Sequence, residues 1–126
     1  GVTLIKFSND NYLVSPYYIV ALLWYPAYEN LFSIIRKKIL KKSPSAPDNE
    51  HLHQFIYLYL DKSFNIDKNF SNTLSGILIC LYNLFYFLTI FDNFNHTETL
   101  VYSIIFNILF YNLLYFSLRK KLFKNK

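Results

Sequence analysis

Two histidines one residue apart, His51 and His53, sit in a short polar segment with Asp48 and Glu50. Five cations, Arg36, Lys37, Lys38, Lys41 and Lys42, closely precede them. Imidazoles exchange protons near neutral pH, and Arg and Lys hold phosphate. The set suits a phosphorylated ligand. On a regular helix His51 and His53 point to different sides. In a first turn just after a loop, both can still approach one ligand. Such a turn also presents free backbone N–H groups and the positive end of the helix dipole, where phosphates bind. Two other readings stay open. A His-x-His pair in a polar loop is often solvated and inert. The two imidazoles with Asp48 or Glu50 could ligate zinc, although no cysteine or third histidine lies close by in the sequence.

A second candidate is Glu29, about one turn after Pro26 in a largely apolar stretch. An ionisable residue inside a membrane span is a functional candidate by default. The plainer readings are that Glu29 reaches an interface, or pairs with Arg36 or Lys37. Pro26 is expected to kink its helix.

The elements that must position these residues are membrane helices. Hydrophobic residues make up 53% of the 126-residue chain and aromatics 21%, against 17% charged. Soluble domains carry about 25% charged residues. The charges are segregated and leave apolar stretches at 74–91 and 100–118, each close to the length a spanning helix needs. A third candidate covers about 17–35. Backbone hydrogen bonding in lipid makes all three helical. The expected fold is therefore all-α, a polytopic integral membrane protein with three transmembrane helices.

Charge sets the expected topology. Arg36, Lys37, Lys38, Lys41, Lys42, Lys62 and Lys68 fall between the first and second spans; Arg119, Lys120, Lys121, Lys124 and Lys126 follow the third. The loop 92–99 holds Asp92 and Glu98 and no Lys or Arg. Basic flanks stay in the cytoplasm. Loop 36–73 and tail 119–126 are expected inside, and loop 92–99 outside. The net charge of +5 therefore reads as topology and not as a nucleic-acid signal. The basic tail could also bind anionic lipid. Within the inside loop, Pro44 and Pro47 stop a helix, Asp48 suits an N-cap, and 49–60 reads as a short amphipathic helix, packed on the protein or lying in the interface. Cys80 lies in an apolar stretch and reads as filler. His96 reads as solvated, and the sequons at Asn69 and Asn95 read as chance matches. The absence of Met and the start at Gly1 lead to the expectation of a C-terminal fragment without a signal peptide.

The run from Pro26 through Glu29 to Arg36, Lys37 and Lys38, then Lys42, Ser43, Pro44, Pro47 and Asp48, then His51 and His53, resembles the C-terminal part of the polyprenyl-phosphate N-acetylhexosamine-1-phosphate transferases. The resemblance covers about 17–57 well, and the rest by span count. It implies a bacterial cytoplasmic-membrane enzyme with UDP-sugar, polyprenyl phosphate and membrane lipid as partners, and leaves a homodimer open. A lipid phosphate would attack the β-phosphorus of the UDP-sugar and release UMP, with Mg²⁺ balancing the charge. His51 and His53 match the family's cytoplasmic histidines and would contact phosphate or nucleotide, or assist proton transfer. Asp48 matches a loop aspartate expected to hold loop shape. Arg36, Lys37, Lys38, Lys41 and Lys42 would contact nucleotide or lipid phosphate. Two departures matter: Gln54 stands where a further histidine is common, and the aspartate-rich magnesium motifs are absent from this sequence. The chain alone is expected to be inactive. The rival reading is a non-enzymatic three-span protein whose basic loop binds lipid or a partner. A transporter, with ionisable residues near the midplane, is the third.

Membrane integration is testable directly. The chain is expected to stay in the membrane pellet after alkaline carbonate extraction; release into the supernatant would contradict it.

Overall fold

The computed structural model describes residues 2–3, 6, 14–43, 47–64 and 67–123. Pro44, Ser45, Ala46, Lys124 and Lys126 lie outside them. The elements beyond residue 14 are α1 Pro16–Leu22, α2 Trp24–Ile39, α3 Leu52–Phe64, α4 Lys68–Ile90, a 3-10 turn Phe91–Asn93 and α5 Thr97–Phe123. Among the described residues there is no strand.

Helices α4 and α5 form an antiparallel pair. Asp67 caps α4 by accepting from the N–H groups of Asn69 and Phe70. Glu98 opens α5 and Lys120 and Lys121 close it, each complementing the helix dipole. Tyr82 donates to Asn107, Tyr86 pairs with Ser103 at 3.2 Å, and Asn112 donates to Tyr28 at 2.7 Å. The expected spans 74–91 and 100–118 thus lie within longer helices. Both Lys68–Asn93 and Thr97–Phe123 are long and apolar enough to cross a membrane. Only 17% and 22% of their apolar windows are buried, whereas the core helix of a soluble protein is mostly buried. Leu84, Phe85, Leu88, Tyr102, Phe106 and Leu113 all point outward. An apolar surface of this extent needs a non-aqueous neighbour.

The third expected span, 17–35, is two helices and does not stand with these two. Ser15 caps α1, and Pro16 sits in its first turn. The helix then breaks at Leu23, where ψ is 7°. The cause is Pro26, which has no N–H to give the carbonyl of Leu22 and whose ring crowds that carbonyl. The predicted kink is therefore displaced upstream, to the turn where the missing bond would have closed.

At its far end α2 turns the chain back on itself. The N–H of Lys42 bonds the carbonyl of Lys37 at 2.9 Å, and the N–H of Lys41 bonds that of Lys38 at 3.1 Å. This pair of bonds is a Schellman motif, with Lys41 in the left-handed position that glycine usually fills, at φ 54°. The segment 47–51 then runs back beside α2, so α3 starts deep and climbs again between α4 and α5. One expectation is corrected here. The helix begins at Leu52 and not at residue 49, because Asp48 is drawn toward α2. Of its two expected positions it takes the packed one, burying Leu52, Phe55 and Leu60 inside the bundle.

The core is aromatic. Trp24, Tyr86, Tyr111, Tyr115 and Phe55 are buried together. Phe32 meets Tyr115 edge-on at 4.7 Å, and Tyr28 meets Tyr111 edge-on at 5.1 Å.

Replacing Lys41 by glycine removes the left-handed penalty without touching a contact. The full chain is expected to gain about 1 kcal/mol in a detergent-unfolding titration. Lys41→Val is expected to lose stability in the same titration. Equal midpoints for both variants would contradict the turn geometry.

Candidate functional site

The polar face of α2 builds the site. Glu29, Ser33 and Arg36 lie at i, i+4 and i+7 and are all buried. The returning segment 47–51 lies against this stripe and supplies its partners. Arg36 donates two bonds to the Asp48 carboxylate, one to the carbonyl of Glu50 and one to the hydroxyl of Tyr115 on α5. Glu50 stands 3.7 Å from its Nε and 4.0 Å from Arg119. Ser33 donates to Asp48, and Asp48 accepts the Glu50 N–H at 3.0 Å. Asp48 therefore ties the returning segment to α2 and does not act as an N-cap.

Burial is the largest influence on the Asp48 carboxyl and works against ionisation. The Ser33 and Glu50 hydrogen bonds, with Arg36 and His51, outweigh it and hold the group below the usual aspartate range. A lowered carboxyl contributes stability above its unfolded value and loses it as pH falls through the folded one.

One turn deeper, Glu29 receives the start of α3. Its Oε1 accepts the Leu52 N–H at 2.9 Å and stands 3.1 Å from Nδ1 of His51. The His51 N–H is bonded to Gln54 Oε1 at 3.0 Å. This is half of a capping box, and it gives Gln54 a local use. The helix N-terminus expected to await a phosphate is thus partly answered by the chain's own carboxylate. Glu29 Oε2 and the Tyr111 hydroxyl are both buried with no well-formed hydrogen bond among the described residues. The Tyr25 and Tyr111 hydroxyls both lie within hydrogen-bonding reach of the Glu29 carboxylate.

The imidazoles do come together. His51 and His53 stack at 5.7 Å with ring planes 13° apart. His51 is partly covered, and His53 is exposed. With Tyr25, Pro26, Glu29 and Asn30 they line an open concavity. The site was expected near the basic end of the molecule. Glu29 lies instead at the level of Tyr111, near the middle of α5. Among the expected phosphate contacts, Arg36 is occupied by internal partners and Lys37 is buried. Lys38, Lys41 and Lys42 are exposed at the turn. No group of three His, Cys, Asp or Glu suited to a metal ion occurs among the described residues, so magnesium is assigned no ligand and no step here.

Behind the concavity runs an apolar groove of about 340 Å³ between α3, α4 and α5. Its walls include Leu52, Ile56, Leu78, Tyr82, Leu114 and Leu118, and Tyr25 lines both groove and concavity. The volume falls within the range of small-molecule sites.

Sequence reasoning missed Ser33, Tyr115 and Tyr25. The i+4 spacing of Ser33 from Glu29 was a usable signal. Tyr115 lies 79 residues from Arg36, and nothing local announces the pairing.

The chain matches no protein-family description, no curated protein and no solved structure.

Asp48→Asn is expected to lower stability at neutral pH by about 3 kcal/mol, because it uncovers a buried guanidinium. Fluorescence of the single tryptophan, the buried Trp24, is a suitable readout. The wild-type signal should change as pH drops below the ordinary aspartate value of about 3.9. In Asp48→Asn that acid step should shrink. An unchanged acid step would contradict the clamp.

Proposed function

We propose that this chain carries the histidine-bearing part of a membrane transferase that moves a sugar-1-phosphate from a UDP-sugar to a polyprenyl phosphate. One observation carries the reading: an apolar groove and a two-histidine concavity meet at Tyr25. An amphiphile needs both, a dry channel for its chain and polar groups at its head. The sequence resemblance supplies the identity of that amphiphile and of the sugar donor.

In this reading the isoprenoid chain lies along Ile56, Leu78, Leu114 and Leu118, and the phosphate head sits at the His51–His53 concavity. A lipid phosphate oxygen forms the new bond to the β-phosphorus, and the bond to UMP breaks. The imidazoles position the phosphate and handle its proton, while Lys38, Lys41 and Lys42 raise the local potential for an anionic donor. The membrane in question is a bacterial cytoplasmic membrane, with the loop that carries the histidine segment entering from its inner side. The first helical pair, α1 and α2, is read as the third crossing.

A second reading has its own observation. Lys38, Lys41, Lys42, Lys120 and Lys121 are exposed at one end of the bundle. A protein that only binds anionic lipid needs nothing more.

The test uses membranes containing the full protein, magnesium, a polyprenyl phosphate and labelled UDP-N-acetylglucosamine. Label is expected to enter the lipid phase as UMP appears. The double variant His51→Ala, His53→Ala should reduce transfer about a hundredfold or more. Leu114→Trp, which fills the groove, should raise KM for the lipid and leave KM for the UDP-sugar within about twofold. No transfer with any UDP-sugar, alongside retained binding to anionic vesicles, would leave the lipid-binding reading in its place.

A further inference from the structure

We infer that Glu29 is a positioning residue that fixes His51 in its Nδ1–H tautomer and makes its Nε2 the proton-accepting nitrogen of the site, with His53 in a supporting role. The part of this inference that concerns transfer rests on the transferase reading; the tautomer does not.

The geometry is specific to one ring. Glu29 Oε1 stands 3.1 Å from His51 Nδ1 and already accepts the Leu52 N–H at 2.9 Å. A carboxylate oxygen has only acceptor capacity, so the nitrogen facing it must carry hydrogen. A bond at one ring nitrogen sets the state of the other. Nε2 is then the lone-pair nitrogen. The nearest carboxylate to it, Asp48 Oδ2, is 3.9 Å away, beyond hydrogen-bond reach. Asp48 cannot swing in to bond it, because Arg36 and Ser33 hold both of its oxygens.

His51 therefore has an orienting carboxylate behind it and a second one beside it. That arrangement lets a neutral imidazole take a proton. Glu29 is also well placed to act as a rigid support. It is nine-tenths buried, and its bond to Leu52 ties it to the first turn of α3. It also faces the hydroxyls of Tyr25, which lines the concavity, and of Tyr111. The groups facing His51 are thus Glu29 from α2, Asp48 from the returning segment and His53 from α3. Among the described residues no hydrogen bond or ion pair orients His53, and it is exposed. Its stacked ring shields one face of His51 and helps to keep that ring in place.

The role differs from simple structural support in what each variant should do. In Glu29→Gln the amide oxygen can take the place of Oε1 and accept from both Leu52 N–H and His51 Nδ1–H. The tautomer should survive while the charge is lost. In Glu29→Ala both are lost.

The experiment is long-range ¹⁵N correlation of ring-labelled histidine in the full chain, in lipid nanodiscs, with signals assigned through His51→Gln and His53→Gln. Wild type and Glu29→Gln should show His51 protonated at Nδ1, and Glu29→Ala should not. Transfer by the full protein carrying the same substitutions should fall at least tenfold in Glu29→Gln and in His51→Gln, and by less in His53→Gln. Glu29→Gln should also move the acidic limb of the pH–rate profile, which a merely structural change would leave in place.

An Nε2–H tautomer for His51 in wild type would overturn the inference. So would transfer in which His53→Gln is damaged as much as His51→Gln. Should the full protein transfer nothing, the transferase reading fails on its own. The tautomer measurement in wild type and Glu29→Ala then still decides whether Glu29 orients this ring. If Glu29→Ala does not fold, Glu29→Asp takes its place: the shorter side chain should loosen the Nδ1–H preference, and an undiminished preference would count against Glu29.

Discussion

A guanidinium taken out of water must have all its charge answered, and Arg36 obtains those answers from three places at once. Asp48 comes from the returning segment, the Glu50 carbonyl from its end, and the Tyr115 hydroxyl from the last helix. An uncompensated buried charge would be prohibitive. The contact therefore acts as a geometric requirement and not as a source of bulk stability, since replacing a buried pair with apolar groups is often neutral or better. With Asp48 drawn in, His51 can only come to rest beside Glu29. The functional residues are placed by this one constraint.

The clamp also explains a division among the cations. Arg36 and the neighbouring Lys37 lie inside, while Lys38, Lys41 and Lys42 lie outside. Adjacent positive residues on one helix therefore do different work because the helix turns about 100° per residue. The buried one has an aromatic setting as well: Phe32 and Tyr115 lie within 6 Å of its charge centre. Arginine suits that setting better than lysine, being planar and weakly hydrated.

Much of the fold was legible, and for clear reasons. The stretches 74–91 and 100–118 announce themselves because lipid-facing helices cannot carry charge, and α4 and α5 contain them. The site was legible as a neighbourhood: His51, His53, Asp48, Glu29 and Arg36 were all singled out, and they do gather. What the sequence hid was how they gather. The chain reversal uses Lys41 in a backbone state that glycine normally marks, so the usual signal is missing. The helix break falls at Leu23 and not at Pro26, because proline acts on the carbonyl before it. The helix start moved from 49 to Leu52 because Asp48 found a stronger partner than a capping N–H. The depth of the site followed from that reversal and could not be read from local pattern. Pairings such as Glu29 with Leu52 and Arg36 with Tyr115 span 23 and 79 residues and leave no local trace.

The returning segment has a consequence for how the protein is made. Segment 47–51 carries two acids and a histidine past the middle of neighbouring apolar helices, where bare backbone and charge are tolerated only against protein. Its partner Arg119, and Tyr115, which shares Arg36 with it, are synthesised well after it. The segment therefore cannot complete its contacts until α5 has been made. The order of synthesis sets the order of assembly, with the apolar pair as scaffold and the polar segment seated against it last.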